Sequence, residues 1–187
     1  MLDMPANRTV NGIDVAALAA VADRVEQDPG RAKVGFAVAT RWRGQARSET
    51  TVEGFTLAGE SIRRSHTIDA DEPRQLLGGD AAPNPQELLM AAVNACMIVG
   101  FVAGAAVRGI ALHQLEIRTT GTLDLRGFLG LDDEVPPGYE SVDYEVRISG
   151  NGTPEQFAEI HQAVIRTSPN YFNLSRPVRM NGVLHVG

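Results

Sequence analysis

The sequence has one cysteine, one lysine and no cluster of basic residues. The single cysteine, Cys96, excludes an internal disulfide framework and a cysteine-rich zinc site. Seventeen basic against 23 acidic residues give a formal net charge of −6. This balance argues against a general nucleic-acid binder, whose affinity depends on neutralising phosphates. The four histidines lie far apart without metal-ligand spacing, so we expect no metal and no other cofactor.

The start of the chain also lacks features of a targeting segment. Its first seven residues have neither the basic nor the apolar region of a secretory signal peptide, which predicts a cytoplasmic protein. Residues 1–11 show no pattern and predict a loose arm. A helix from Asp14 to about Gln27 follows, with apolar residues at three- and four-residue steps. We therefore predict an N-terminal arm and helix over residues 1–30 and one domain over residues 31–187.

Strands and helices alternate irregularly after residue 31. Period-two patterns predict strands over Val34–Trp42, around Thr50–Leu57 and over Ile62–Ile68, which form an antiparallel meander with one buried face. Further strands are predicted over residues 112–125, 139–149 and 178–186. A capping box at Thr153 and Gln156 begins a late helix, which ends at Ser168. This arrangement is typical of an α+β domain.

The strongest helix signal begins at Asn84, a good N-cap followed by Pro85, with Glu87 placed to bond back to the cap. From Leu88 to Val107 the helix is apolar apart from Asn94. This apolar run is long enough to span a bilayer. Its many Ala and Gly residues, and the absence of flanking basic asymmetry, favour a buried helix over a membrane span. Since one domain of this size rarely encloses a whole helix, a second subunit is expected.

Cys96 lies midway along this helix and permits two interpretations. A free cysteine is most often a small buried hydrophobic residue. The alternative is a thiolate that attacks a peroxide and becomes a sulfenic acid. That chemistry requires a cationic neighbour, such as arginine, and access for the substrate.

The segment from Asn84 to Cys96 resembles the NPEELLAAAxAAC motif of the OsmC/Ohr family, the osmotically inducible protein C and organic hydroperoxide resistance proteins. The resemblance covers roughly residues 34–187, including Trp42 and Gly44 in an early strand and the late segment Ser168–Leu174. It implies an OsmC-like fold, with curved antiparallel sheets packed around a central buried helix in an intertwined homodimer. It also implies reduction of organic hydroperoxides by a peroxidatic cysteine, which matches Cys96.

Two positions depart from the family's pattern. The resolving cysteine of the family falls at Ser168, so an oxidised Cys96 requires an external thiol reductant. The activating glutamate falls at Gln86, which can hydrogen-bond an arginine without the charge of a carboxylate. Ten helical residues span about 15 Å, so contact between positions 86 and 96 needs a helix break or a partner subunit. Among Arg41, Arg43 and Arg47, the pattern favours Arg47 as the activating arginine, although each also fits a solvated strand edge.

Two functions follow. The first is a thiol-dependent peroxidase in which Cys96, with Gln86 and Arg47, reduces organic hydroperoxides in oxidative-stress defence. The second is a non-catalytic dimer of the same fold that binds a small apolar ligand or partner, with Cys96 as packing. The expected partners are a second copy of the chain, the hydroperoxide or ligand, and an external thiol. Neither nucleic acid nor membrane is expected as a partner.

Overall fold

A computed structural model of the chain describes residues 9–187. The described residues divide into two compact units, a first unit that ends at Ala91 and a second unit, Ala92–Gly187. The predicted arm over residues 1–11 lies mostly outside the described residues. Its last part is not loose, because strands β1 (Thr9–Val10) and β2 (Ile13–Asp14) pair in a short antiparallel hairpin.

Helix α1 (Val15–Gln27) follows this hairpin and begins as predicted. The carboxylate of Asp14 accepts a hydrogen bond from the Ala17 N–H, which caps one of the free donors of the first turn. The prediction that residues 1–30 and 31–187 are separate parts of the chain stays a prediction.

The first unit contains an antiparallel sheet of β3 (Val34–Phe36), β4 (Ala39–Trp42), β5 (Ser48–Leu57) and β6 (Glu60–Ala70). β3 and β4 pair with successive parts of one edge of β5, and β6 pairs with its other edge. The predicted strand over residues 34–42 is therefore interrupted at residues 37–38. The antiparallel meander is confirmed.

The buried face predicted for this meander is not found on the chain. Among the described residues, none in β3 or β4 is buried, and the side chains of Phe36 and Trp42 are 69% and 76% exposed. Alternation identifies which side chains share a face, but burial also needs a layer that covers this face.

Helix α2 (Pro85–Val107) is continuous from the first unit into the second. Its start agrees with the sequence: the Gln86 N–H donates to the Asn84 side chain at 2.7 Å, and the Asn84 N–H donates to Glu87 Oε2 at 2.8 Å. By length and composition alone, α2 could also cross a membrane, a test that core helices of soluble proteins pass as well. The cytoplasmic location stays a prediction.

The second unit packs α2 against a two-stranded antiparallel sheet and α4 (Pro154–Thr167). The strands are β7 (Leu112–Gly121) and β8 (Val142–Gly150), and inward and outward side chains alternate along β8 as predicted. The core of this unit is formed by Val93, Met97, Phe101, Ala105, Ile110, Ile117, Ile160 and Val164.

Glycines in α2 allow α4 to approach closely. A Cβ atom at Gly100 would lie 3.0 Å from Val164 Cγ2, and one at Gly104 would lie 3.1 Å from Ile160 Cγ2. Both distances are shorter than ordinary van der Waals contacts. The small residues of the apolar run therefore serve helix packing in this unit.

Two further helices complete the second unit. The short helix α3 (Leu125–Phe128) lies between β7 and β8, where Asp124 caps its first turn. Helix α5 (Pro169–Ser175) follows α4 directly. The strand predicted over residues 178–186 is wrong, because this segment has no regular structure and its apolar side chains are exposed. A strand requires hydrogen bonds to a neighbouring strand, which an alternating sequence does not supply by itself.

Candidate functional site

Cys96 lies at the border of the buried face of α2. The next residue, Met97, is fully buried, as is Phe101, whereas Cys96 itself is partly exposed. Val99 lies on the opposite side of the helix and is 69% exposed. Cys96 is therefore held by a packed helix and is not fully buried, and a thiol nucleophile must be reachable by its substrate.

Ser168 supplies the hydrogen-bond partner of this thiol. Its Oγ lies 3.4 Å from Cys96 Sγ and donates to it, and among the described residues it is the one hydrogen-bond partner of this sulfur. The two residues are 72 positions apart in the chain. The structure thus brings the lone thiol together with the side chain at the position where the OsmC/Ohr motif has its second cysteine.

The hydroxyl of Ser168 is fixed by its place between two helices. Ser168 is 5% exposed, and its N–H donates to the Val164 carbonyl at the end of α4. Its Oγ also accepts from the Tyr171 N–H in the first turn of α5, at 3.4 Å. A hydroxyl can accept one bond while it donates another. The side chain is therefore oriented by α5 as it donates to the sulfur.

A second contact holds the start of α5 against α2. The side-chain amide of Asn170 donates to the carbonyl oxygen of Ala92 at 2.9 Å. Ala92 lies one helical turn before Cys96, so the two contacts lie on consecutive turns of α2. Together they fix the position of Ser168 relative to the thiol.

Asn94 is the one polar residue in the apolar run, and it has partners on β7. Its amide group donates to the Ile117 carbonyl at 3.3 Å, and its carbonyl oxygen accepts from the Thr119 hydroxyl. Burying an amide whose N–H and C=O groups are both hydrogen-bonded costs little free energy, and the two bonds fix the position of the helix along the strand. The sequence shows the polar interruption but not these partners.

An aromatic cluster lies beside this helix. The hydroxyl of Tyr144 shares a 2.8 Å hydrogen bond with His161 Nε2, and His161 stacks on Phe101 with ring centroids 5.8 Å apart. Tyr144 also meets Tyr171 edge to face at 6.2 Å. Burial, together with the neighbouring Tyr171, raises the pKa of Tyr144 above its ordinary value, so its hydroxyl stays protonated at neutral pH.

A cavity of about 390 Å³ opens next to this cluster. Its walls come from α2, β7, β8, α5 and the loop before β8, all within the second unit. It is lined by Val93, Thr119, Tyr139, Glu140, Ser141, Val142, Tyr144, Tyr171, Leu174 and Ser175. No local sequence pattern predicts this cavity, although the tyrosines that line it are the only three in the chain.

The other predicted site residues lie in the first unit. Gln86 is in the first turn of α2, ten residues before Cys96 on the same unbroken helix. Arg47 lies just before β5, and its guanidinium is 3.6 Å from the carboxylate of Asp69 on β6. The roles of Gln86 and Arg47 in the reaction stay predictions.

The neighbouring Arg43 fits the alternative interpretation, an exposed arginine at a solvated strand edge. Arg43 forms a 2.6 Å ion pair with Glu49, and this bond is the main cause that lowers the pKa of the Glu49 carboxyl. Exposed pairs of this kind contribute little to stability.

The loop between β6 and α2 is organised by a buried carboxylate. Asp71 is 3% exposed and accepts hydrogen bonds from the N–H groups of Glu72, Gly79 and Ala81. The bond from Ala81 is the largest of the causes that lower the pKa of Asp71. The loop that precedes the cysteine helix is thus ordered by one ionised side chain.

Within residues 9–187, no group of three or more His, Cys, Asp or Glu side chains is placed to hold a metal ion. The chemistry that the site offers is that of a thiol beside a fixed hydroxyl.

Comparison with known proteins agrees with the fold. The sequence profile of the family described as OsmC-like protein matches residues 78–181. A search of curated proteins returns no match. The chain is similar to the solved structure of an OsmC-like protein from Mycoplasma pneumoniae, with TM-score 0.57 and 14% identity over 75% of this chain and 86% of that chain. It is also similar to an OsmC-like protein of unknown function from Vibrio cholerae, with TM-score 0.54 and 15% identity over 73% and 90% of the two chains. The predicted α+β, OsmC-like fold is confirmed.

Proposed function

The chain belongs to the family of OsmC-like proteins, and we propose that it reduces organic hydroperoxides with Cys96 as its single peroxidatic cysteine and an external thiol as reductant. The observation that carries the proposal is the 3.4 Å contact between Cys96 Sγ and Ser168 Oγ. It places a fixed hydrogen-bond donor against the thiol of a partly exposed residue, on the helix that carries the family motif. Oxidative-stress defence is the corresponding cellular role.

The proposed reaction has two stages. The Cys96 thiolate attacks the terminal oxygen of the hydroperoxide, the O–O bond breaks, and the alkoxide leaves and takes a proton from water. The peroxide gains two electrons and the sulfur becomes a sulfenic acid. A low-molecular-weight thiol then forms a mixed disulfide with Cys96 and releases water. A second thiol attacks this disulfide, restores the Cys96 thiol and leaves as the oxidised dimer.

Ser168 has a defined role in this proposal. Its hydroxyl donates a hydrogen bond to the sulfur, and this bond orients the Cys96 side chain. A hydroxyl cannot resolve a sulfenic acid as a disulfide. Ser168 therefore orients the nucleophile, whereas resolution depends on the external thiol.

The active form is proposed to be a homodimer. Large apolar side chains that the chain leaves exposed include Phe36, Trp42 and Val99. Exposed apolar surface of this kind is typical of interfaces between subunits. Within this dimer we assign Arg47 to the activation of the thiol and Gln86 to holding the guanidinium by a neutral hydrogen bond.

The test is a trapping experiment on the purified protein. Cumene hydroperoxide is added with a dimedone-type sulfenic acid reagent, and the adduct is located by intact and peptide mass. We expect rapid stoichiometric labelling at Cys96, faster than with hydrogen peroxide, and peroxide turnover once a thiol reductant is supplied. The Cys96→Ser variant is the matched control, and turnover by this variant at the wild-type rate would contradict the proposal.

The second candidate function is a non-catalytic OsmC-fold dimer that binds a small apolar ligand. One observation favours it: the described partner of the Cys96 sulfur is a neutral hydroxyl and not a cation. If a thiol reagent modifies Cys96 while the sulfenic acid trap does not, the thiol is reachable but not activated. That result would support this second function.

A further inference from the structure

We propose that the cavity lined by Tyr139, Tyr144 and Tyr171 binds a neutral, ring-bearing molecule with a hydroxyl group, of the phenol class, independently of the Cys96 thiol. The cavity and all of its lining residues lie in the second unit. The proposal rests on the size of the cavity, its charge, its aromatic walls and the hydrogen bond of Tyr144.

The size of the cavity limits the ligand to a small molecule. Its volume of about 390 Å³ is near the lower end of the range of about 300–1,000 Å³ that small-molecule pockets occupy. A molecule with one substituted ring or two fused rings fits this space.

The charge of the lining excludes an anion. Its residues include no Lys, Arg or His, and Glu140 is the only charged one. An anionic ligand would lose its hydration and gain no cationic partner, which is costly. The three tyrosines, Thr119, Ser141 and Ser175 instead carry neutral hydroxyls. Those of Thr119 and Ser175 already donate to Asn94 and to the Phe172 carbonyl, and they can still accept a hydrogen bond.

The aromatic walls favour a ring. Tyr144 and Tyr171, which both line the cavity, meet edge to face at an interplanar angle of 85°. Aromatic pairs prefer such offset or perpendicular arrangements. All of the tyrosines of the chain are gathered here, although aromatic residues make up only 5% of the sequence.

The bond between Tyr144 and His161 selects a hydroxyl on the ligand. If His161 donates to Tyr144, the phenol proton of Tyr144 is free to donate to the ligand; if Tyr144 donates, its oxygen can accept. A ligand hydroxyl satisfies either state because it both donates and accepts. The raised pKa of Tyr144 keeps this hydroxyl neutral in both cases.

The experiment measures binding of two fluorinated probes to the full chain by fluorine NMR. Para-fluorophenol is neutral at pH 7, whereas para-fluorobenzoate has a similar size and a negative charge. We expect the phenol to bind and the benzoate to bind at least tenfold more weakly. Equal affinity for the two probes, or no binding of the phenol, would overturn the proposal.

Two variants of cavity residues test whether the probe binds in the cavity. Val142→Trp fills the cavity and should abolish binding, while Tyr144→Phe keeps the ring and should weaken it about fivefold through the loss of one neutral hydrogen bond. Phe172→Leu is the matched control, because Phe172 adjoins Tyr171 in sequence, does not line the cavity and packs under Arg176. Wild-type affinity in both cavity variants would refute the site.

Cys96→Ser separates this inference from the proposed peroxidase. We expect it to bind para-fluorophenol with wild-type affinity, since Cys96 does not line the cavity. Loss of binding in Cys96→Ser would contradict an independent site and leave the peroxidase proposal unaffected. Failure of the trapping experiment would equally leave the binding result unaffected.

Discussion

The Oγ atom of Ser168 lies 3.4 Å from the Sγ atom of Cys96, and the buried side chain of Ser168 is held in place by α5. Serine differs from cysteine only in its γ atom, which is oxygen and not sulfur, so replacing Ser168 by cysteine would place two thiols side by side. The relationship makes the redox behaviour of the site open to a direct test.

Ser168→Cys should convert the proposed one-cysteine site into a two-cysteine site. After peroxide treatment we expect an intramolecular disulfide between positions 96 and 168, seen as the loss of both free thiols and the absence of a dimedone adduct. The physical reason is proximity, because a thiol held beside a sulfenic acid reacts faster than one from solution. A dimedone adduct at Cys96 as abundant as in the wild type would contradict it. Thr167→Cys, one residue earlier and exposed, is the control that should not form the disulfide.

Asp71 predicts a pH dependence of stability. Its pKa in the folded chain lies below the ordinary value of 3.8, so its contribution is fully present above pH 3.8 and is lost as the pH falls through the lower folded value. We expect Asp71→Asn to be less stable than wild type at pH 7, because an amide cannot replace both acceptor oxygens. The difference in free energy of unfolding should shrink below pH 3.8.

Urea unfolding at several pH values measures this difference. Asp133→Asn, in the exposed loop before β8, is the control and should change stability little at any pH. A constant difference between wild type and Asp71→Asn down to the acid transition would show that the carboxylate does not act through its charge.

Local sequence signals predicted the three long helices α1, α2 and α4 because their caps are local interactions, whereas the short helices α3 and α5 were not predicted. Asn84 and Glu87, like Thr153 and Gln156, form the expected bonds within one turn. The alternation of apolar residues along β8 likewise predicted which of its side chains are buried, since that strand packs on α2 and α4 within the same unit.

Features that depend on distant residues could not be predicted from local patterns. The proximity of Ser168 to Cys96 was implied only by the family resemblance, which places the resolving cysteine at position 168. The gathering of the three tyrosines is set by how α5 and β8 pack, which no local pattern encodes. The alternation at residues 178–186 was misleading for a related reason, because strand formation requires a partner strand that the described residues do not provide.

Phe101 should dominate the stability of the second unit. It is 1% exposed and stacks on His161 within the core cluster. Phe101→Ala should lower the free energy of unfolding by about 3–5 kcal/mol, the usual cost of removing a buried aromatic side chain. Chemical denaturation measures the change, and Phe128→Ala, whose side chain is 69% exposed, should cost far less. Similar losses in both variants would contradict the assignment of the core.

Val99 tests the proposed homodimer. It is 69% exposed on the side of α2 opposite Met97 and Phe101, where an apolar side chain gains nothing unless another surface covers it. We expect sedimentation to show a dimer of the wild-type chain and Val99→Asp to shift it toward monomer, because a buried unpaired carboxylate is costly. Ala158→Asp, at an exposed position of α4, is the control and should leave the mass unchanged. A monomeric wild type would refute the dimer, and a dimer unaffected by Val99→Asp would place its interface elsewhere on the chain.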